Sequence, residues 1–156
     1  MKKRKITPER ITELAPNEVF VFGSNYAGRH GRGAALLAKR KFGARTGQGA
    51  GMMGQSYGIA TKDRRLGVLP LVKIQAQVNR FLRYAEARPA LTFMVTQIGC
   101  GLAGYKPKHI APFFKDAPAN VALPLSFVRS RGLGLELSNE VVEVDDGCRT
   151  DTSDTD

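Results

Sequence analysis

Three glycines, Gly99, Gly101 and Gly104, fall within six positions of the stretch VTQIGCGLAGY, residues 95–105, directly after the apolar run Leu91 to Val95. The run is rich in strand-forming residues, so the pattern predicts a buried strand opening into a loop made largely of backbone. Glycines at such a turn let main-chain N–H groups point at one spot and let a ligand approach without meeting a Cβ. Phosphate groups are what such concavities usually hold.

A second loop of this kind comes earlier. Glu18-Val19-Phe20-Val21-Phe22 predicts a central strand, too apolar to have one wet face. It runs into GSNYAGRHGRGAALLAKRKFGA, with glycines at 23, 28, 31 and 33 ahead of an Ala- and Leu-rich helix from about Ala34 to Phe42. A strand, a glycine loop and a helix start bring free N–H groups and the positive end of a helix dipole to one point. The loop lacks the Lys-Ser/Thr ending of a P-loop and does not match dinucleotide spacing, so the pattern speaks for anion binding without naming the anion.

Few side chains here suit acid–base or nucleophilic work. The short strand Ser56 to Thr61 delivers Lys62 and Asp63 to a strand end, where α/β proteins place their working groups; the plainer alternative is a solvated lysine in the charged turn KDRR. His30 sits in the first glycine loop, where a partly exposed histidine is expected, and His109 at a helix start. Cys100 and Cys148 are too few and too oddly placed for a disulfide scaffold and read as free thiols; no neighbour of Cys100 offers a base to activate it. No metal-ligand spacing and no cofactor are expected.

The elements that must position these residues follow from the chain in order. Met1 to Lys5 is a charged start, expected to be mobile, and Thr7-Pro8 predicts a short helix or turn through Leu14. Thr46 to Gln55 is glycine-rich and nearly uncharged. Apolar residues at 71, 72, 74, 78, 81, 82 and 85 predict a helix with one buried face between Leu69 and Ala87. Lys106 to Phe114 predicts another helix, and Asn120 to Pro124 a last strand. The alternation predicts an α/β fold of three layers, α/β/α, with a mixed, mostly parallel central sheet and ligands bound beyond the carboxyl ends of its strands. One domain is expected: an N-terminal extension over 1–17, a core over 18–125, an uncertain segment over 126–139 and an acidic, disordered tail over 140–156.

Charge agrees with an anionic ligand. The formal charge of +10 conceals an asymmetry, because residues 140–156 carry seven acids and one arginine, net −6, which leaves +16 for residues 1–139. A surplus of that size implies polyanionic partners, a phosphorylated small molecule or nucleic acid. No apolar run reaches the length of a membrane span, and MKKRK is not followed by a signal-type apolar core, so a cytoplasmic protein is expected.

Over about Glu18 to Pro124 the residues resemble the macrodomain family of ADP-ribose-binding α/β proteins. VFVFGSN with GRHGRGAALLAKRKFGA looks like the family's Asn, glycine loop and small-residue helix, and TQIGCGLAGYK looks like its phosphate loop. IGCGL is similar to the branch that includes the terminal ADP-ribose protein glycohydrolase. The resemblance implies that Asn25 sits by the distal ribose, with Gly23, Ser24 and Gly28 around it and with Gly31 and Gly33 over the diphosphate. It implies that Gly99, Cys100, Gly101 and Leu102 cradle the phosphates, flanked by Ala103, Gly104 and Tyr105. That branch works with a strand-end lysine, which Lys62 resembles, and with an aspartate directly after IGCGL, where this chain has Ala103. A proton-managing group would have to come from elsewhere, and His30 is the candidate. The implied ligand is ADP-ribose or a related nucleotide, free or carried on protein or nucleic acid, with hydrolysis of the ADP-ribosyl linkage as the implied reaction. The alternatives are a non-catalytic reader of that ligand and a basic nucleic-acid-binding module.

Overall fold

The structure is a computed structural model that describes residues 4–130. Its centre is β2 (Glu18–Asn25), buried from Val19 onward. Val19 and Val21 enter one hydrophobic core, and Phe20 and Phe22 enter another on the opposite face. Apolar side chains pointing both ways are what a strand covered on both sides requires. β4 (Ser56–Lys62) and β5 (Thr92–Val95) flank β2 in parallel. β6 (Val121–Pro124) and β1 (Ile6–Thr7) continue the parallel sheet on the β5 side. β3 (Gly51–Met53) closes the other edge, antiparallel to β4, so the order is β1-β6-β5-β2-β4-β3.

Helices cover both faces. α1 (Gly33–Lys41) lays Ala34, Ala35 and Ala38 on the Phe20 and Phe22 side, and the Phe42 ring that follows lies 5.0 Å from Phe20. α2 (Leu71–Glu86) covers the other face with Ile74, Val78, Phe81 and Ala85, spaced by four, three and four residues as one helix stripe demands. Phe81 packs its ring against Tyr57 at 5.0 Å and Phe93 at 5.5 Å, and its burial contributes roughly 1.5–3 kcal/mol. α3 (Pro107–Ile110), a 3₁₀ turn (Ala111–Phe114) and α4 (Leu125–Val128) share that face. The fold is therefore the three-layer α/β/α arrangement with a mixed, mostly parallel sheet that the sequence predicts.

This connectivity defines one crevice. From β2 the chain crosses through α1 to β4 on one face, and from β5 it leaves through α3 to β6 in the opposite direction on the other face. Between the carboxyl ends of β2 and β5 the direction and the covered face both reverse. Such a switch point is where open α/β sheets bind ligands.

Two local expectations are corrected. Thr7 does not cap a helix: as the residue before Pro8 it is extended and pairs with Pro124, and no helix forms over 8–14. Ile11 and Leu14 instead pack against the Phe20 and Phe22 core. The charged start is anchored at Arg4, whose guanidinium donates to the carbonyls of Ala117, Pro118 and Val121 at 2.9–3.0 Å. Residues 131–139, the acidic tail and Cys148 lie outside the described residues. No helix among the described residues is long and apolar enough to cross a membrane.

Candidate functional site

Asn25 and Lys62 end adjacent strands and are register partners, after a shift in the ladder between Ser24 and Asn25. The Tyr26 N–H donates to the Lys62 carbonyl at 3.0 Å, so the two strand ends are tied past the ladder. The Asn25 side chain, 9% exposed, is a two-point clasp: Nδ2 donates to the Arg29 carbonyl and Oδ1 accepts the Arg29 N–H, both at 3.0 Å. It shapes the loop that leaves β2. Gly23 and Ser24 lie within the strand, with the Ser24 side chain buried. Gly28 has φ 73°, and a Cβ there would strike the backbone of Gly47 and Gln48, so its glycine is demanded by packing. Gly31 differs, since a Cβ there would meet nothing within 4 Å. Gly33 begins α1, whose amino terminus receives no side-chain cap and holds no acid in its first turn.

His30 is not the partly exposed loop histidine that its sequence context suggests. It is 2% exposed and packs edge-on to Phe22 at 5.4 Å. Its Nε2 lies 2.9 Å from the Arg45 carbonyl and 3.0 Å from the Gln48 carbonyl, so this nitrogen is the donor, and Nδ1 is buried without a partner. The imidazole therefore pins the first glycine loop to residues 45–48. That removes it as the group to stand in for the aspartate replaced by Ala103.

The loop leaving β5 is held by its own backbone. Cys100 N–H donates to Gln97, Gly104 N–H to Gly101 and Tyr105 N–H to Gly99, at 2.9–3.1 Å, while Gly99 and Gly104 take φ 77° and 87°. A Cβ on Gly99 would press on the Ile110 side chain at 3.2 Å and lie 3.9 Å from the Thr61 methyl, which places this loop against the end of β4 as well. The N–H groups of Gly101, Leu102 and Ala103 meet no acceptor among the described residues. Three consecutive donors at a switch point form an anion-binding surface. Leu102 is 53% exposed beside them, and the Ala103 methyl is buried.

The remaining titratable groups near these loops have structural duties. The Asp63 carboxylate accepts the N–H groups of Arg65 and Gly67 at 2.9 and 2.8 Å, closing the turn after β4. His109 Nδ1 accepts the Lys106 N–H at 2.9 Å and caps α3. Burial pushes the Cys100 thiol up to about 12, so it is no nucleophile near neutral pH. Lys62 is half-buried at its strand end, beside Asn25.

Sequence reasoning missed the supporting loop over 44–50 and the half-buried Tyr26. The loop supplies both acceptors of His30, and a Cβ on Gly49 would collide with the Asn25 carbonyl. Its signal was the glycine spacing in TGQGAG, which allows two backbones to touch. The Tyr26 hydroxyl accepts from Gln77 Nε2 at 3.3 Å, joining β2's exit to α2. A cavity of about 280 Å³ lined by Asn79, Leu82, Arg83, Glu86, Asp116 and Pro118 lies beside the second half of α2, remote from the loops that leave the strands.

No protein-family model matches the chain, and no curated protein matches it. Among solved structures it is similar to one titled as a protein of unknown function from Bacteroides thetaiotaomicron, with 17% identity and a TM-score of 0.50 over 72% of this chain and 89% of that one. That likeness is one of fold.

Proposed function

We propose that this chain binds ADP-ribose, or a closely related nucleotide diphosphate, in the crevice between the carboxyl ends of β2 and β5. One observation carries the reading: the consecutive N–H groups of Gly101, Leu102 and Ala103, without acceptors among the described residues, sit at the switch point of the sheet. The resemblance of IGCGL and VFGSN to macrodomain motifs supports ADP-ribose as the particular diphosphate. In this reading the loop over 99–105 holds the phosphates through its backbone, and the loop over 26–33 with the start of α1 covers the distal ribose side.

Binding without turnover is the reading the side chains favour. Asp63, His30 and His109 are engaged in backbone hydrogen bonds, and Ala103 stands where the resembling branch has its aspartate. The register pairing of Asn25 with Lys62 favours a second reading, hydrolysis at the ribose anomeric carbon with Lys62 as nucleophile or electrostatic helper.

Calorimetric titration with ADP-ribose, with AMP and ribose 5-phosphate as controls, tests the binding reading. Saturable binding of the whole ligand in about the micromolar range, near −8 kcal/mol, is expected, and Gly101→Val abolishes it while leaving the thermal melt unchanged. Unchanged affinity in that variant removes the phosphate-loop assignment. Product formed from an ADP-ribosylated substrate by the native chain and not by Lys62→Ala decides for hydrolysis.

A further inference from the structure

We infer that the edge of the sheet carrying the crevice is a contact surface for a nucleic-acid backbone, so that the group bound in the cradle is presented on, or beside, a polynucleotide. The inference rests on the binding reading for what occupies the cradle, but the surface itself stands on charge and topology.

The loops leaving β2, β4 and β5 bring Arg29 and Arg32, Arg64 and Arg65, and Lys106 and Lys108 to one edge of three adjacent strands. All six residues are exposed, and none has a side-chain hydrogen bond or ion pair among the described residues. Three neighbouring strand ends span only about 10 Å, comparable to the Debye length at physiological salt, so these cations repel one another. The one acid in these loops is Asp63, and its carboxylate is already bound by two N–H groups. Elsewhere the surface is mixed: Glu18, Glu86 and Asp116 lie at the opposite ends of the strands.

Free ADP-ribose neutralises only a fraction of such a cluster. A polyanion with regularly spaced charges neutralises all of it and gains counterion release in addition. Four of the six are arginine, whose planar fork matches phosphate. No exposed aromatic residue accompanies them, so the surface suits the phosphate backbone of a duplex better than the stacked bases of a single strand. An acidic protein is the competing partner.

The test is fluorescence anisotropy of a short labelled DNA duplex with the full chain, as a function of salt. The expected slope of log K against log salt is about −5, with roughly a thousandfold loss of affinity between about 50 and 200 mM. The double variant R64A/R65A flattens the slope by about 2 and leaves ADP-ribose binding intact. Substituting Lys39 and Arg40, at the far end of α1, leaves the slope unchanged. A native slope flatter than about −2, or one that survives R64A/R65A, overturns the inference, as does poly-glutamate competing as well as DNA charge for charge. DNA binding with the expected slope but no ADP-ribose binding sinks the cradle reading and leaves the surface standing. ADP-ribose binding without DNA binding does the reverse.

Discussion

The Tyr105 hydroxyl donates to the Leu69 carbonyl at 2.7 Å, tying the loop that leaves β5 to the segment that follows β4. The same tyrosine packs its ring 5.8 Å from His109, at the start of α3. Phenylalanine keeps the ring contact and removes only the tie, so Tyr105→Phe is expected to lower stability by about 1 kcal/mol. ADP-ribose affinity falls as well, because ordering the loop is shifted into the binding step. Urea denaturation and calorimetry on the same preparation check both, and an unchanged affinity with lowered stability rejects the link between tie and cradle.

Asn25 makes a prediction with a sign in pH. In Asn25→Asp, Oδ1 keeps the Arg29 N–H, but the second carboxylate oxygen faces the Arg29 carbonyl where Nδ2 donated at 3.0 Å. At neutral pH the loss of one bond and the new repulsion cost about 1–3 kcal/mol. Acidification restores a donor to the carboxyl group, so the deficit relative to the native chain narrows as pH falls. Thermal melts of both proteins at neutral and acidic pH measure it. A deficit that does not change with pH means the clasp is not the reason Asn25 matters to the fold.

Much of this was legible because it is local. The Val19 to Phe22 run announces a strand covered on both faces, and the stripe at Ile74, Val78, Phe81 and Ala85 announces α2, since both need only periodicity. The two glycine loops were legible as anion-competent for the same reason. His30 was not, because its partners Arg45 and Gln48 are fixed by a long-range contact between two loops. Nor was β3, three residues long and hidden in a glycine-rich segment, or β1, which exists through pairing with a strand more than a hundred positions away. Sequence placed Asp63 next to Lys62; only the structure shows its carboxylate turned to the N–H groups of Arg65 and Gly67.

Gly28 and Gly31 separate packing from binding within one loop. At Gly28 any Cβ meets the backbone of Gly47 and Gln48, and φ is 73°, so Gly28→Ala is expected to destabilise the fold by about 2–4 kcal/mol. At Gly31 the space is open, so Gly31→Val leaves the denaturation midpoint within about 0.5 kcal/mol of native. If the loop covers the diphosphate as proposed, that same variant loses ADP-ribose affinity by obstruction alone. Full affinity in a stable Gly31→Val protein moves the ligand away from this loop.

Cys100 supplies the last prediction. Burial raises its thiol from the ordinary 9.0 to about 12, so the folded chain keeps the proton in a range where the unfolded chain releases it. A folded-state value above the unfolded one leaves stability unaffected below about pH 9 and erodes it as pH rises from there toward 12. The direct measurement is alkylation in a Cys148→Ser background at pH 8, with iodoacetamide in excess. Slow labelling of the folded chain and fast labelling in urea are expected, because the thiolate is the reacting species. Labelling of the folded chain at the rate of an unfolded thiol would instead mean that the glycine loop opens to solvent. The donors of Gly101 to Ala103 would then have no fixed geometry with which to hold a phosphate.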